Sequence, residues 1–511
     1  MTGQISYTDA FAAYREGDLA RCHDLTGALV KSGGATAGVL LLRAISTPDG
    51  EPGKAAALNA RSFRLDPYEA DNWFNYGVLL EQRGRLREAA AIYRRALALD
   101  PCHLGALLNG TQMLRVNEFF EETLPHARRL QQLTPDNPAG FAHEAIALQF
   151  LDRLEESDRL FDEAKRRSSD PSLLHWEHHF SLLKRGRFAE AWECYETRFA
   201  CAAANGVDDM AFTLPRWDGG PSDHVLVYGE QGIGDQLMFA SALDDLARKV
   251  AKVSLVVAPA MERIFAASFP HIAVYPITAK RDPQACAAVA AQAGHGRPVE
   301  HVLPLGSLPH HFRNDRSCFN GKPYLRPSEG ARAFWQAQAG EEGRQRFRIG
   351  LCWACNPALE RFYTARRAVH RTMPFHLLAR LAEIQGVGAI SVNNVPMAAF
   401  GPDAAASTRV ADVSNALIDI DRTAALLENI DLLITVDTGV AHLAGALGVP
   451  VWILLHKAGD PRWGQWGETR SYWYDSARLY WQNEPGDWDE LVDRVDRDLR
   501  ELMARRRRGQ A

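Results

Sequence analysis

Three prolines, Pro67, Pro101 and Pro135, stand 34 residues apart, and a fixed period of this length restricts the first part of the chain to stacked copies of one small unit. Between the first two lies Trp73-x-x-Tyr76-Gly77-x-x-Leu80, followed by Gly84, Ala89, Tyr93 and Ala96. Large, small and helix-breaking residues fall in the order required by two antiparallel helices joined by a turn. Leu107, Leu114 and Leu130 keep the register, while Phe141, Ala145, Leu148, Phe161 and Ala164 carry a further, less regular copy. A single helix pair cannot bury its own apolar face, so neighbours stack and leave a groove lined by the first helix of each pair. Gly17 and Gly186 stand at inter-helix turns, which extends the array from about residue 5 to about residue 200, five or six pairs in all.

The period is that of the tetratricopeptide repeat, and exposed grooves of this kind commonly hold peptide segments. Near its end HWEHH places His175 and His179 on one helix face. No third ligand at metal-site spacing accompanies them, so packing is expected rather than zinc.

At 511 residues the chain holds about three domains. With 58 Lys and Arg against 63 Asp and Glu the net charge is −5, so nothing advertises nucleic acid. The first residues lack a signal-peptide pattern and the longest uncharged run, Thr438 to Leu455, is broken by three glycines and Pro450. A cytoplasmic protein without a membrane span is expected, and eight scattered cysteines fit free thiols.

From His224 onward strand-like and helix-like stretches alternate. His224–Tyr228, Val253–Ala258, residues 273–277, Arg348–Trp353, VGAISV ending at Val392, Asp431–Val436 and Val451–Leu455 read as strands, and strands separated by helices imply parallel sheets. A break near residues 326 to 346 divides two such series. Two segments have the form of a glycine-rich turn opening a helix, where backbone amides and the helix dipole favour a phosphate. One is Gly229-Glu230-Gln231-Gly232-Ile233-Gly234-Asp235; the other is Val436-Asp437-Thr438-Gly439 before VAHLAGALG. The first has neither dinucleotide nor Walker spacing.

The order GEQGIGD, SLP (Ser307 to Pro309), GLCWACNP, HRTMPFHLL, DLLITVDTGVAHLAGALGVPVWILL and DPRWGQW resembles the bacterial tetratricopeptide-repeat glycosyltransferases. Their catalytic half is similar to the lipopolysaccharide heptosyltransferases and, more distantly, to protein O-linked N-acetylglucosamine transferases. The resemblance implies an α + α/β chain: a repeat solenoid over residues 1–205, then a GT-B glycosyltransferase with Rossmann-like domains at 206–335 and 336–490. A C-terminal helix and basic tail would occupy 491–511. It also implies a nucleotide-sugar donor, no metal and no other cofactor, and a protein acceptor held by the repeat groove, flagellin being one that relatives modify.

Sugar transfer removes a proton from the acceptor hydroxyl, a task worth about 10²–10⁴-fold for a placed base. Asp235 matches the heptosyltransferase base, with helix capping as its ordinary alternative, and Glu230, the second carboxylate of the loop, is the alternative base. Donor contacts are expected from Gly232 and Gly234, from the amides of Thr438, Gly439 and Val440, and from Asn356, Arg371 and Arg462. Asp437 is assigned to capping or ribose contact, and His442, in a first helical turn, to a neutral imidazole. Arg361, Arg366, Arg367, His370 and Arg371 form a basic stretch suited to an anionic donor or simply solvated. Cys352-x-x-Cys355 has no second half and is read as coincidence. The competing readings are a repeat scaffold with an idle transferase-like half, and transfer to a glycan or lipid.

Overall fold

The computed structural model describes residues 5–48, 51–338, 346–355 and 371–509. It divides into two compact units, Met1–Leu174 and His175–Ala511.

The first unit consists of helix pairs: Tyr7–Arg15 with Leu19–Lys31, Ala37–Ile45 with Pro52–Leu65, Ala70–Gln82 with Leu86–Leu99, Leu104–Val116 with Phe120–Leu133, and Pro138–Phe150 with Leu154–Arg167. The repeat residues explain the packing. Tyr93 is fully buried against Gly77, where a Cβ would lie 2.5 Å from the Tyr93 ring; only glycine admits it. The phenol is not left unsatisfied, since it donates to Glu81 at 2.9 Å and accepts from Asn109 Nδ2 at 3.2 Å.

A sixth pair, Ser172–Lys184 and Phe188–Tyr195, falls almost entirely in the second unit. Trp192 is buried there and its indole donates to Arg313 O at 2.8 Å. Among the HWEHH residues, His179 packs against Trp176, Phe180 and Tyr195.

Among its described residues the second unit contains two sheets with every strand parallel. One has the order β3-β2-β1-β4, with β1 Val225–Tyr228, β2 Val253–Val257, β3 Ala273–Pro276 and β4 His301–Pro304. The other runs β10-β9-β8-β5-β6-β7, with β5 Phe347–Cys352, β6 Val387–Ser391, β7 Val410–Asp412, β8 Leu432–Val436, β9 Val451–Leu455 and β10 Ala477–Trp481. Strands β1, β2, β8 and β9 are buried throughout, as expected of parallel strands covered on both faces. The sequence pattern predicts seven of the ten strands among the described residues; β4, β7 and β10 are additional.

Between the two series the helix Glu329–Gln338 is tied to the second sheet's surroundings. Ser328 donates to Asp421 through its amide, 2.8 Å, and its hydroxyl, 2.5 Å, and Trp335 Nε1 donates to Arg422 O. The C-terminal helix Trp488–Arg507 buries Leu491, Val492, Val495, Leu499 and Met503. No helix among the described residues is long and apolar enough to cross a membrane.

Candidate functional site

In an open parallel sheet the chain order reverses at one place, and the loops leaving the strands on either side diverge there to form a crevice. In the four-stranded sheet the reversal lies between β1 and β4, whose exits are the glycine-rich loop and Leu305–Ser307. In the six-stranded sheet it lies between β5 and β8, whose exits begin at Trp353 and Asp437. Both glycine-bearing turns singled out in the sequence therefore leave switch-point strands.

These turns meet. The loop after β1 opens the helix Ile233–Phe239 and the turn after β8 opens the helix Gly439–Leu447. A Cβ on Gly234 would stand 3.2 Å from Gly439 Cα and 3.0 Å from His442 Cδ2, so the two helix starts touch where neither carries a side chain. Around this contact lie Asp235, in the first turn of its helix, and Thr438, which caps the other with extended backbone. The first-turn amides of Gly439 and Val440 have no carbonyl within their own helix to bond.

Asp235 is not a capping residue; Gly232 holds the N-cap position and no side-chain cap bond forms. Its carboxylate accepts instead from Arg462 Nη1. Arg462 also donates to Asp460, from Nε at 3.0 Å and Nη2 at 2.6 Å, so one guanidinium bridges a carboxylate from each sheet's loops. The side chains of Arg462 and Asp235 retain 18% and 23% exposure. Although burial opposes it, the neighbouring Asp460 and Asp235 hold this guanidinium above its ordinary pKa.

Asp437 is buried, accepts from Trp463 Nε1 at 2.9 Å and pairs with Arg371 at 3.2 Å. The Trp463 ring stacks on His442, centroids 4.3 Å apart and planes 16° from parallel, while His442 Nδ1 meets Tyr474 OH at 3.1 Å. Burial brings the His442 pKa down to about 4. The imidazole is therefore neutral at pH 7 and offers one donor and one acceptor.

Glu230 faces a different environment. It is buried, pairs with the fully buried Arg198 at 3.1 Å and accepts from the Gly306 amide at 3.2 Å. Burial pushes its carboxyl pKa up. Arg198 further donates to Ser307 Oγ at 2.8 Å and Glu196 at 2.8 Å, and Ser307 Oγ donates to Glu196. This network fastens the loops leaving β1 and β4 to the end of the sixth helix pair, and Glu230 serves in it.

Asn356, with Arg361, Arg366, Arg367 and His370, lies outside the described residues. Gly232, Gly234, Asp235, Arg371, Asp437, Thr438, Gly439, Val440, His442 and Arg462 are linked by the contacts above or by chain continuity. Cys352 and Cys355 are free thiols; Cys355 Sγ donates to Asp437 O and its amide to Thr372 Oγ1, so this segment backs the Asp437 turn. Sequence reasoning missed Asp460, Trp463 as partner of Asp437, and the Arg198–Glu196–Ser307 network. An Asp before Pro461-Arg462 is a turn-capping signal, and Asp460 indeed caps the short turn that carries Arg462.

Comparison with known proteins matches residues 70–101 to the tetratricopeptide repeat and residues 414–473 to glycosyltransferase family 9 (heptosyltransferase). The second segment spans Asp437, Thr438, His442, Asp460, Arg462 and Trp463. Protein FlbA of Caulobacter vibrioides (strain ATCC 19089 / CIP 103742 / CB 15) is 26% identical over 530 residues, covering 97% of this chain and 84% of its own. Among solved structures, a crystal structure of MamA aligns over 31% of this chain and 93% of its own, at 15% identity and a TM-score of 0.28. YrrB, a TPR protein with an unusual peptide-binding site, aligns over 32% and 86%, at 15% identity and 0.28. The chain thus joins a tetratricopeptide repeat to a glycosyltransferase family 9 segment and resembles the heptosyltransferases.

Proposed function

We propose that the second unit is a metal-independent glycosyltransferase of the GT-B kind. It moves a sugar from a nucleotide-sugar to a Ser or Thr hydroxyl of a polypeptide that the repeat unit holds, with flagellin in the bacterial cytoplasm the acceptor the resemblance favours. The observation that supports this most is the meeting of the two switch-point turns at Gly234 and Gly439. It places a carboxylate, Asp235, beside a helix start with first-turn amides and a shared guanidinium.

In this reading the donor's phosphate lies at the amides of Gly439 and Val440, where the dipole of the nine-residue helix stabilises the negative charge that grows as the glycosidic bond breaks. Arg462 adds a cation at the same place, and Arg371, paired with Asp437, offsets the charge of that carboxylate. Asp235 takes the proton of the acceptor hydroxyl as the new bond forms. That role requires Arg462 to leave Asp235 for the phosphate, so donor binding and release of the base become one event. Glu230, engaged with Arg198 and Gly306, keeps the loop in shape rather than moving a proton. Neutral His442 stacks on Trp463 and shares a hydrogen bond with Tyr474.

Thermal unfolding with a panel of nucleoside mono- and diphosphates tests the donor site. A ligand at about 100 times its Kd adds roughly 2.7 kcal/mol. Stabilisation by one of them is expected, and none by any would favour the idle scaffold.

A further inference from the structure

We propose that the first unit carries a docking site for a cationic polypeptide segment in which Arg or Lys stands beside bulky apolar residues. A hollow of about 700 Å³ is lined by Tyr7, Phe11 and Phe74 and by Asp66, Glu69 and Asp71. It lies on the leading helices of the first three pairs, on the end of the second pair and on the connections before and after that pair. Its size falls within the range of pockets that enclose a ligand, and none of its described lining residues is Lys or Arg.

The aromatic rings are presented to solvent: Tyr7 is 44% exposed and Phe11 39%. Open rings beside carboxylates suit a guanidinium or ammonium, which pairs with the acids while lying over a ring face. Asn75, also in the lining, supplies a carboxamide that matches peptide groups, while Asn72 is buried and donates to Asp66 O at 3.2 Å. Nucleic acid and anionic lipid are repelled by the same carboxylates.

The site is built rather than incidental. A Cβ at Gly38 would stand 3.1 Å from the Tyr7 ring, so the missing side chain seats that ring. His103 packs on Phe74 with centroids 4.9 Å apart and holds Asp71 at 2.8 Å, so one imidazole fixes an aromatic and an acidic wall together. Asp71 nevertheless keeps 72% of its side chain exposed. Fixed walls lower the ordering cost of binding. The inference deepens the reading of the repeats as a polypeptide holder and rests on that part of it alone; the chemistry of sugar transfer is not used.

Fluorescence anisotropy of the full chain with three labelled peptides of equal length tests it. One alternates Arg with Leu on a Gly-Ser frame, one has Glu for Arg, and one has Gly for Leu. The Arg–Leu peptide is expected to bind about tenfold tighter than either other. The triple variant Asp66→Asn/Glu69→Gln/Asp71→Asn should lower its affinity about tenfold, in line with three exposed ion pairs. Tyr7→Ala, an exposed position that leaves the charges alone, should lower it as well. A control neutralising Glu88, Glu121 and Glu155, which do not line the hollow, should leave it unchanged. Equal binding of the Glu–Leu peptide, an unchanged triple variant, or an equal loss in the control overturns the proposal while leaving polypeptide capture standing. Failure of all three peptides to bind overturns both.

Discussion

Arg462 donates to Asp235 across the meeting of the two sheets' loops, and the same guanidinium holds Asp460 on its own turn. One cation is shared by two carboxylates, and the pair is largely screened from solvent. Removing Arg462 leaves both acids without it, whereas removing Asp235 leaves Arg462 still paired with Asp460. Arg462→Ala is therefore expected to destabilise the second unit by about 1–3 kcal/mol, and Asp235→Ala by less. The double variant should lose less than the sum of the two. Urea unfolding of the four proteins measures the coupling, and strict additivity would show that the contact contributes nothing.

The glycine contact makes an asymmetric prediction. A methyl group on Gly234 would press on Gly439 Cα and the His442 ring at 3.2 and 3.0 Å, whereas one on Gly439 would meet Gly234 N no closer than 3.6 Å. Gly234→Ala should cost about 1–3 kcal/mol, the usual penalty for overpacking, and Gly439→Ala should fall below about 1 kcal/mol. Denaturant midpoints at constant m-value decide it; equal costs would contradict the one-sided contact of the two helix starts.

His442 ties stability to pH. Its ordinary pKa is about 6.5, and burial holds it down to about 4 in the folded protein. Above pH 6.5 both states are neutral and the group contributes no pH dependence. As pH falls from 6.5 toward 4 the unfolded chain takes up a proton that the folded site refuses. Stability is then lost at up to about 1.4 kcal/mol per pH unit, about 3 kcal/mol in full. His311, also held at about 4 by burial, adds a loss of its own in the same window. The His442 share is the difference between wild type and His442→Gln in urea melts at pH 7.5 and pH 5, where the variant should lose clearly less. Parallel losses would mean that His442 takes up its proton in the folded state.

The compact second unit begins at His175, and Arg198, in the turn Glu196–Phe199 that follows the sixth helix pair, holds Glu230 and Ser307. A truncation removing residues 1–174 should keep nucleotide binding and lose polypeptide acceptors. One removing residues 1–200 also deletes Glu196 and Arg198, and it should unfold at a markedly lower temperature. Thermal melts of the two truncations separate these outcomes.

Local pattern made much of this legible. The 34-residue period marks helix pairs because each copy needs the same large and small residues to stack, and Gly77 under Tyr93 shows why. Strands such as β8 and β9 declare themselves as unbroken apolar runs because both faces are covered. Strand β7 spans three residues, two of them exposed, and so short a run carries no period; β4 starts with His301 and ends at Pro304, a polar start and a strand-breaking end that mask its apolar middle. In ARLYW of β10 the charged Arg478 interrupts the apolar run, although four of the five residues are buried. The site was legible as two turns, since glycines before a helix have a physical meaning on their own. Their meeting was not, because Asp235 and Arg462 are 227 residues apart and no periodicity spans that distance. The Arg198 network joins a helical segment to two strand exits and is hidden for the same reason.

The most direct test of the account pairs nucleotide affinity with nucleotide release. Calorimetric titration identifies the nucleoside phosphate that binds, and release of that nucleotide from its sugar conjugate is then followed for wild type and Asp235→Asn. The account predicts affinities alike in the two proteins and release slowed at least about 10²-fold in the variant. A chain that binds none of the nucleotides, or an Asp235→Asn protein that releases nucleotide at the wild-type rate, would contradict it.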